Sequence, residues 1–243
     1  MSLHVDLAVV GSGPGGTSAA IQAAQLGKRV VLIERTRKLG GTHVHHGAIP
    51  RKLLRELALE LRDVRAHFGA LEVTMDPGHA LAYLRERVAT VVQRNEDKVA
   101  AQLDEVGVRR IHGHARFISP HEICIVHPDA AVQQLRADVT VLAAGSRPQT
   151  PSSFELDHEH VLDRDSILSL AHLPSALAII GAGVTGSEYA CIFATLGVEV
   201  TLFDKNVLPL SRLESEIGER FLELFKDLGL EQAQKKSEYC EFT

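Results

Sequence analysis

One glycine-rich pattern occurs twice in this chain, 170 residues apart, and nothing else in the sequence constrains the fold as tightly. The apolar run Val5-Asp6-Leu7-Ala8-Val9-Val10 leads into Gly11-Ser12-Gly13-Pro14-Gly15-Gly16. Ala176-Leu177-Ala178-Ile179-Ile180 leads into Gly181-Ala182-Gly183-Val184-Thr185-Gly186. Each copy continues through a helical stretch into a second apolar strand that ends on an acid. Glu34 follows Val30-Val31-Leu32-Ile33, and Asp204 follows Val200-Thr201-Leu202-Phe203, both 23 residues beyond the first glycine of their copy. In such a setting the first glycine makes the tight turn, the second lets the backbone approach a pyrophosphate, and the third permits close helix–strand packing. The helix N-terminus then offers N–H groups and partial positive charge to phosphates, while the acid accepts from ribose hydroxyls. A single copy is weak evidence; two copies in step predict an α/β fold of two Rossmann-like units with central parallel sheets. The competing reading of these residues is two structural βα turns whose acids are solvated strand ends.

The doubled motif divides 243 residues into two domains more naturally than one. A hydrophobic fraction of 45% leaves enough apolar surface to build their cores. A formal net charge of −5 argues against a nucleic-acid binder. The N-terminus enters the first strand almost at once, without a signal-peptide pattern, and no apolar run approaches a membrane span. Cys124, Cys191 and Cys240 are scattered without CxxC spacing, which indicates neither a disulfide framework nor a zinc site. A cytoplasmic protein is the expectation.

Along the chain, the first strand and helix run from about Val5 to Leu26 and the second strand from Arg29 to Ile33. A glycine-containing loop, Leu39 to Ala48, ends at Ile49-Pro50. Leu53, Leu54, Leu57, Leu61, Val64 and Phe68 recur at helical spacing after Pro50. A second long helix, entered through Asp76-Pro77-Gly78, carries Leu81, Leu84, Val88, Val91, Val92, Val99, Leu103 and Val106. Short strands follow at Val108–Ile111, Ala115–Ile118 and Glu122–Val126, then a longer one over Ala137–Gly145. The proline- and serine-rich stretch Ser146 to His160 reads as a boundary, dividing a first domain at 1–150 from a second at 151–243. The second ends on an amphipathic helix, Glu214 to Leu228, with Ile217, Phe221, Leu224, Phe225 and Leu228 on one face. The polar run after Glu231 carries no signal. With two clear parallel strands the second unit reads as incomplete, and the faces of Ala176–Ile180 and Val198–Phe203 are expected to expose apolar surface.

The chain resembles the flavin-containing pyridine nucleotide–disulfide oxidoreductases, and within them the soluble, Si-specific pyridine nucleotide transhydrogenases. The resemblance rests on both glycine motifs, the Glu34 strand end, Gly40-Gly41 and Gly47-Ala48-Ile49-Pro50-Arg51-Lys52. It also rests on Gly113-His114-Ala115-Arg116-Phe117, Ala144-Gly145-Ser146-Arg147-Pro148, Asp165-Ser166-Ile167-Leu168 and Ser187-Glu188-Tyr189. It implies FAD on the first unit and NAD(P) on the second. By it, Gly11, Gly13, Pro14, Gly15 and Gly16 receive the FAD pyrophosphate and Glu34, followed by Arg35, its adenosine ribose. Gly40, Gly41, Thr42 and His43 run past the flavin, His114 and Ala115 sit near the adenine, and Ala144 and Gly145 complete the flavin set. Gly181, Gly183 and Gly186 take the second dinucleotide. Lys52 is expected to pair with Glu188 beside flavin N5; without the resemblance these are two surface charges on separate helices. Asp204 suits the 2′-OH of NAD and Lys205 a 2′-phosphate.

The departures from the family are as informative. Disulfide reductases carry a redox cysteine pair in the loop between Gly41 and Pro50, where this chain has His43 and Ala48. No thiolate can form at either, so dithiol chemistry has no nucleophile. His45 fits the transhydrogenases, whereas His43 and Arg51 depart from their usual cysteine and serine. On an extended segment His43 and His45 face one side, yet no further ligands accompany them to complete a metal site, and none is expected. The implied function is hydride transfer between NADPH and NAD through FAD, with no catalytic side chain. The alternatives are a non-catalytic FAD/NAD-binding fragment or sensor, and a cysteine-free NAD(P)H diaphorase or oxidase. The residues after Leu230 leave no room for the later flavin segment or the dimerisation domain that the resemblance implies. The chain therefore reads as truncated, with FAD expected to bind weakly or not at all, and the homodimer of the family lacks its interface here.

Overall fold

A computed structural model describes residues 3–68, 77–149 and 154–234. By contacts the chain divides into two compact units, Met1–Pro50 with Val88–Glu155, and Arg51–Arg87 with Leu156–Thr243. The boundary expected between residues 150 and 151 lies outside the described residues, as does the Asp76 entrance to the second long helix. Contacts thus gather Arg51–Arg87 with the second glycine motif, although this segment lies within 1–150.

The first unit is built on β1 (Leu3–Val10), α1 (Pro14–Gln25) and β2 (Val30–Glu34), followed by the short α2 (Gly41–His45). In chain order the helices α3 (Ala48–Phe68) and α4 (Pro77–Glu105) come next, α3 from Arg51 on and α4 up to Arg87 counting with the second unit, then β3 (Arg109–His112), β4 (His114–Ser119), β5 (Glu122–Val126) and β6 (Val132–Leu142). Six strands form one sheet in the order β3-β2-β1-β6-β5-β4. The first four are mutually parallel, with Leu7 opposite Val30 and Val139, and β4 and β5 add an antiparallel meander. β2 reads as an unbroken apolar run because both of its faces are covered. Val31 and Ile33 pack with Ile111, Ile123, Ile125 and Leu135, while Val30 and Leu32 pack with Ala20, Leu103 and Val108. The two-residue period of a strand thus feeds two cores from one segment.

Helical periodicity holds in α3, where Leu54, Leu57, Ala58 and Leu61 are buried. That helix begins at Ala48, ahead of Pro50, since proline is tolerated in a first turn whose N–H groups lack partners anyway. In α4, Ala80, Leu81 and Leu84 are buried near one end and Leu103 near the other.

The second unit contains β7 (Ala176–Ile180), α5 (Val184–Thr195), β8 (Glu199–Asp204), α6 (Ser215–Asp227) and β9 (Glu231–Gln234). Its sheet is parallel, in the order β7-β8-β9. β9 corrects the two-strand expectation. Glu231-Gln232-Ala233-Gln234 has no β-forming side chains, but backbone pairing of Thr201 with Glu231 and Phe203 with Ala233 makes it a strand. The expected face of α6 is narrower than its periodicity suggests: Phe225 is buried, while Ile217 and Leu224 are exposed. The apolar exposure expected of β7 runs along one face, at Ala176, Ala178 and Ile180, whereas in β8 it is confined to the C-terminal end. Ile180 and Phe203 are exposed, whereas Val198, Val200 and Leu202 are buried.

Candidate functional site

The two glycine turns share one set of hydrogen bonds at a constant offset of 170 residues, to which the Ser12 hydroxyl adds bonds that Ala182 cannot make. Gly11 N–H donates to Ile33 O at 2.8 Å, and Gly181 N–H to Phe203 O at 2.7 Å. Thr17 N–H and Ser187 N–H each reach the second glycine, Gly13 O and Gly183 O, at 2.9 Å. The Thr17 hydroxyl donates to Ser12 O at 2.9 Å and the Ser187 hydroxyl to Ala182 O at 3.2 Å. Gly40 N–H donates to Ser12 O at 3.1 Å and Leu210 N–H to Ala182 O at 2.8 Å, so the loop after the acid closes over the turn in both copies.

The acids belong to the same pattern. Ser12 N–H donates to Glu34 Oε2 at 2.9 Å and Ala182 N–H to Asp204 Oδ2 at 2.6 Å. The second oxygen of each accepts from the residue two places on, Thr36 N–H at 3.1 Å and Asn206 N–H at 2.7 Å. Burial works against the charge of Glu34, but the donors of Ser12 and Thr36 outweigh it and hold the carboxyl below the usual carboxylate range. Asp204 is likewise opposed by burial and held low by Asn206 and Ala182, with a smaller contribution from Lys205. Both acids are therefore oriented anions at strand ends, not loosely solvated ones.

Two glycines in each turn are called for by the backbone, the first by its positive φ and the third by close approach. Gly11 and Gly181 have φ of +104° and +103°, a region that L side chains rarely adopt. A Cβ on Gly16 would lie 1.9 Å from Gly11 O, and one on Gly186 would lie 1.8 Å from Gly181 O. By contrast, a Cβ on Gly13, Gly15 or Gly183 meets nothing within 4 Å, so the turn is open where a pyrophosphate would rest. No acidic residue sits in the first turn of α1 or α5, and their N-terminal N–H groups keep their attraction for an anion. The residues present fit a dinucleotide in both places.

Around the first turn, Ala143 N–H donates to Val10 O at 2.8 Å, which brings Ala144 and Gly145 to the same end of the sheet. Gly113 N–H donates to Glu34 O at 2.9 Å, setting His114 and Ala115 directly beyond the acid. Gly41 lies against Gly13, with only about 3.0 Å between its Cβ direction and Gly13 Cα. Arg35, Thr42, His43 and His114 are exposed. Lys205 is exposed beside Asp204.

Two expectations change. The segment carrying His43 and His45 is helical, so residues two apart point about 200° from each other and do not share a face. His45 Nε2 instead lies 2.7 Å from Leu39 O and 3.8 Å from Glu96, while Leu39 N–H donates to Glu96 Oε1 at 3.2 Å. Among the described residues no three His, Cys, Asp or Glu side chains converge as metal ligands. The partner of Glu188 is Arg51, not Lys52. Arg51 Nη1 lies 2.5 Å from Glu188 Oε2 and 3.3 Å from Thr185 Oγ1, and Lys52 is exposed. Consecutive helix residues point about 100° apart, so only one of the two cations can face α5. Ser12, Thr36 and Asn206 were missed as site residues. The offset of 170, extended two residues past each acid, would have found Thr36 and Asn206.

The profile of the pyridine nucleotide-disulphide oxidoreductases matches residues 5–237, across both turns. The chain belongs to this family. Relatives in the family include a soluble pyridine nucleotide transhydrogenase of Mycobacterium tuberculosis, 42% identical over 232 residues, and one of Colwellia psychrerythraea, 37% identical over 218. These alignments cover 93% and 90% of this chain but 48% and 47% of the relatives, so the chain spans about half their length. Among solved structures, LpdA of Mycobacterium tuberculosis superposes with a TM-score of 0.82 at 26% identity, over 95% of this chain and 51% of that one. The HOCl-induced flavoprotein disulfide reductase RclA of Escherichia coli superposes with a TM-score of 0.78 at 25% identity, over 94% of this chain and 48% of that one. No helix among the described residues is long and apolar enough to cross a membrane.

Proposed function

We infer that this chain provides the two nucleotide cradles of a transhydrogenase, moving hydride between NADPH and NAD through FAD without a redox-active disulfide. The supporting observation is the pair of hydrogen-bond patterns repeated at an offset of 170, each open at its second glycine and closed by an anionic acid. In this reading residues 1–150 carry the FAD cradle and residues 151–243 the NAD(P) cradle. FAD, when bound, supplies the two-electron relay between the pyridine nucleotides.

This chain's residues bind and orient. The N–H groups at the start of α1 and α5 receive the pyrophosphates. Glu34 and Asp204, held charged, accept from the adenosine ribose of each dinucleotide. Lys205 is the cation within reach of a 2′-phosphate, which suits a site serving both NADPH and NAD. His43 and Ala48 stand where disulfide reductases have thiols, so the loop can line the reaction path but cannot store electrons in sulfur. Arg51 holds Glu188 on the first turns of α5, and the pair positions side chains at the nicotinamide end. The test is an anaerobic assay of the purified protein with FAD, NADPH and thio-NAD. Reduction of thio-NAD that requires FAD supports the reading. NADPH oxidation seen only with quinone or oxygen, or flavin bound without turnover, refutes it in favour of a diaphorase or a binding protein.

A further inference from the structure

Apart from both cradles, the first unit has a cavity of about 390 Å³ between the edge strand β3 and the turn joining β5 to β6. Its lining includes Arg37, Arg109, Arg110, His112 and His127, set against a single carboxylate, Asp129. That carboxylate is occupied in its own turn, accepting Ala131 N–H at 3.0 Å. Arg110 is shared with Asp104 at 2.9 Å. Arg37 and Arg109 form no ion pair among the described residues. The two imidazoles are fixed as walls: His127 lies 3.0 Å from His112 O and 3.2 Å from Gln133 Oε1, and His112 lies 3.2 Å from Arg35 O.

Three guanidinium groups against one lining carboxylate leave an excess of positive charge on this concavity, which an anion relieves. Guanidinium groups are the side chains whose fork geometry matches phosphate oxygens in pairs. The volume lies within the range of small-molecule pockets, about 300–1,000 Å³, and is far larger than one phosphate ion needs. We propose that this cavity is a binding site for a phosphorylated small molecule carrying a diphosphate or equivalent dianion, gripped by Arg37 and Arg109. None of its cationic residues belongs to either dinucleotide cradle, so the site stands whether or not the transhydrogenase reading does. The β2–β3 register, Glu34 opposite His112, puts it beside the strand end that carries the first acid, and an occupant clamps the loop after that acid through Arg37.

Isothermal titration calorimetry on the full chain tests this, with pyrophosphate and ADP as the probes and with FAD and NAD saturating the two cradles. Binding of either probe is expected to persist under saturation and to weaken with salt. It is expected to weaken on the order of tenfold for each arginine removed in R37A and R109A, as for lost charge-assisted hydrogen bonds. R37K/R109K, which keeps charge but loses the forks, should fall between. Tighter ADP than pyrophosphate identifies a nucleotide as the source of the phosphate, and equal affinity a free diphosphate. Arg37 and Arg109 are exposed, and an unchanged melting curve verifies that the variants fold. No heat with either probe, displacement by FAD, or arginine variants that bind like wild type would overturn the proposal.

Discussion

Gly13 and Gly16 share one turn yet are expected to respond to alanine in opposite ways. A Cβ on Gly16 falls 1.9 Å from Gly11 O, well inside the 3.0 Å that real Cβ contacts respect, and 3.1 Å from the Ala143 side chain. The opposing atom is backbone of a turn fixed by the Gly11–Ile33 and Thr17–Gly13 hydrogen bonds, so it cannot swing aside. Overpacking of this kind costs about 1–3 kcal/mol or more, and the gain of roughly 1 kcal/mol from alanine in place of glycine in a helix offsets only part of it. A net loss of about 2 kcal/mol lowers the melting temperature by roughly 4–8 °C for a chain of this size. Gly13 has φ −64° and ψ 175°, which alanine adopts freely, and its Cβ meets nothing within 4 Å. G13A therefore leaves stability within about 0.5 kcal/mol, as for an unstrained exposed site. Its methyl occupies the space over the helix N-terminus and removes at least one charge-assisted contact to a phosphate, about tenfold in FAD affinity. Thermal melting followed by circular dichroism, and FAD fluorescence titration, separate the two effects. G16A melting with wild type, or G13A losing as much stability as G16A, would refute this account of the turn.

The remaining predictions concern charge and packing. Glu34 titrates below its unfolded value in the folded chain, so its contribution to stability is complete above the ordinary carboxylate range and is lost as pH falls through the lowered folded value. Urea denaturation from neutral pH into the acid range should show this loss in wild type and a shallower one in E34Q; identical profiles argue against the assignment. A double-mutant cycle on Arg51 and Glu188 should give a coupling of about 0.5–1 kcal/mol, typical of a partly exposed pair, and the Lys52–Glu188 cycle none. Coupling to Lys52 instead would restore the pairing that the family resemblance implies. Leu202 is fully buried in β8, and L202A should cost about 2–5 kcal/mol in chemical denaturation; a loss below about 1 kcal/mol means that the strand is not central. A233P in β9 breaks the pairing with Phe203, and hydrogen exchange at the β8 amides should accelerate if β9 protects them.

The local units of this protein are legible residue by residue. Glycine turn chemistry, apolar runs such as Val30–Ile33 and the helical recurrence of Leu54, Leu57 and Leu61 place β1, α1, β2, α3, β7, α5 and β8 close to where they stand. Those signals act within one turn or one strand, so nearby side chains suffice to state them. The repeat also carries the position of both acids, because spacing along a βαβ unit is set by element length.

Tertiary pairing decided the rest. β9 forms because β8 offers an open backbone ladder, and its Glu-Gln-Ala-Gln sequence carries no trace of that opportunity. His43 and His45 part company because Gly41–His45 winds into a turn of helix rather than running extended. Arg51, rather than its neighbour Lys52, meets Glu188 because one residue of helical rotation decides which cation faces α5. The basic cavity gathers Arg37, Arg109 and His127, residues up to 90 apart in sequence, at one sheet edge. Periodicity reports what a segment can bury; which partner covers it, and which charges meet there, depends on long-range geometry that no short window of residues encodes.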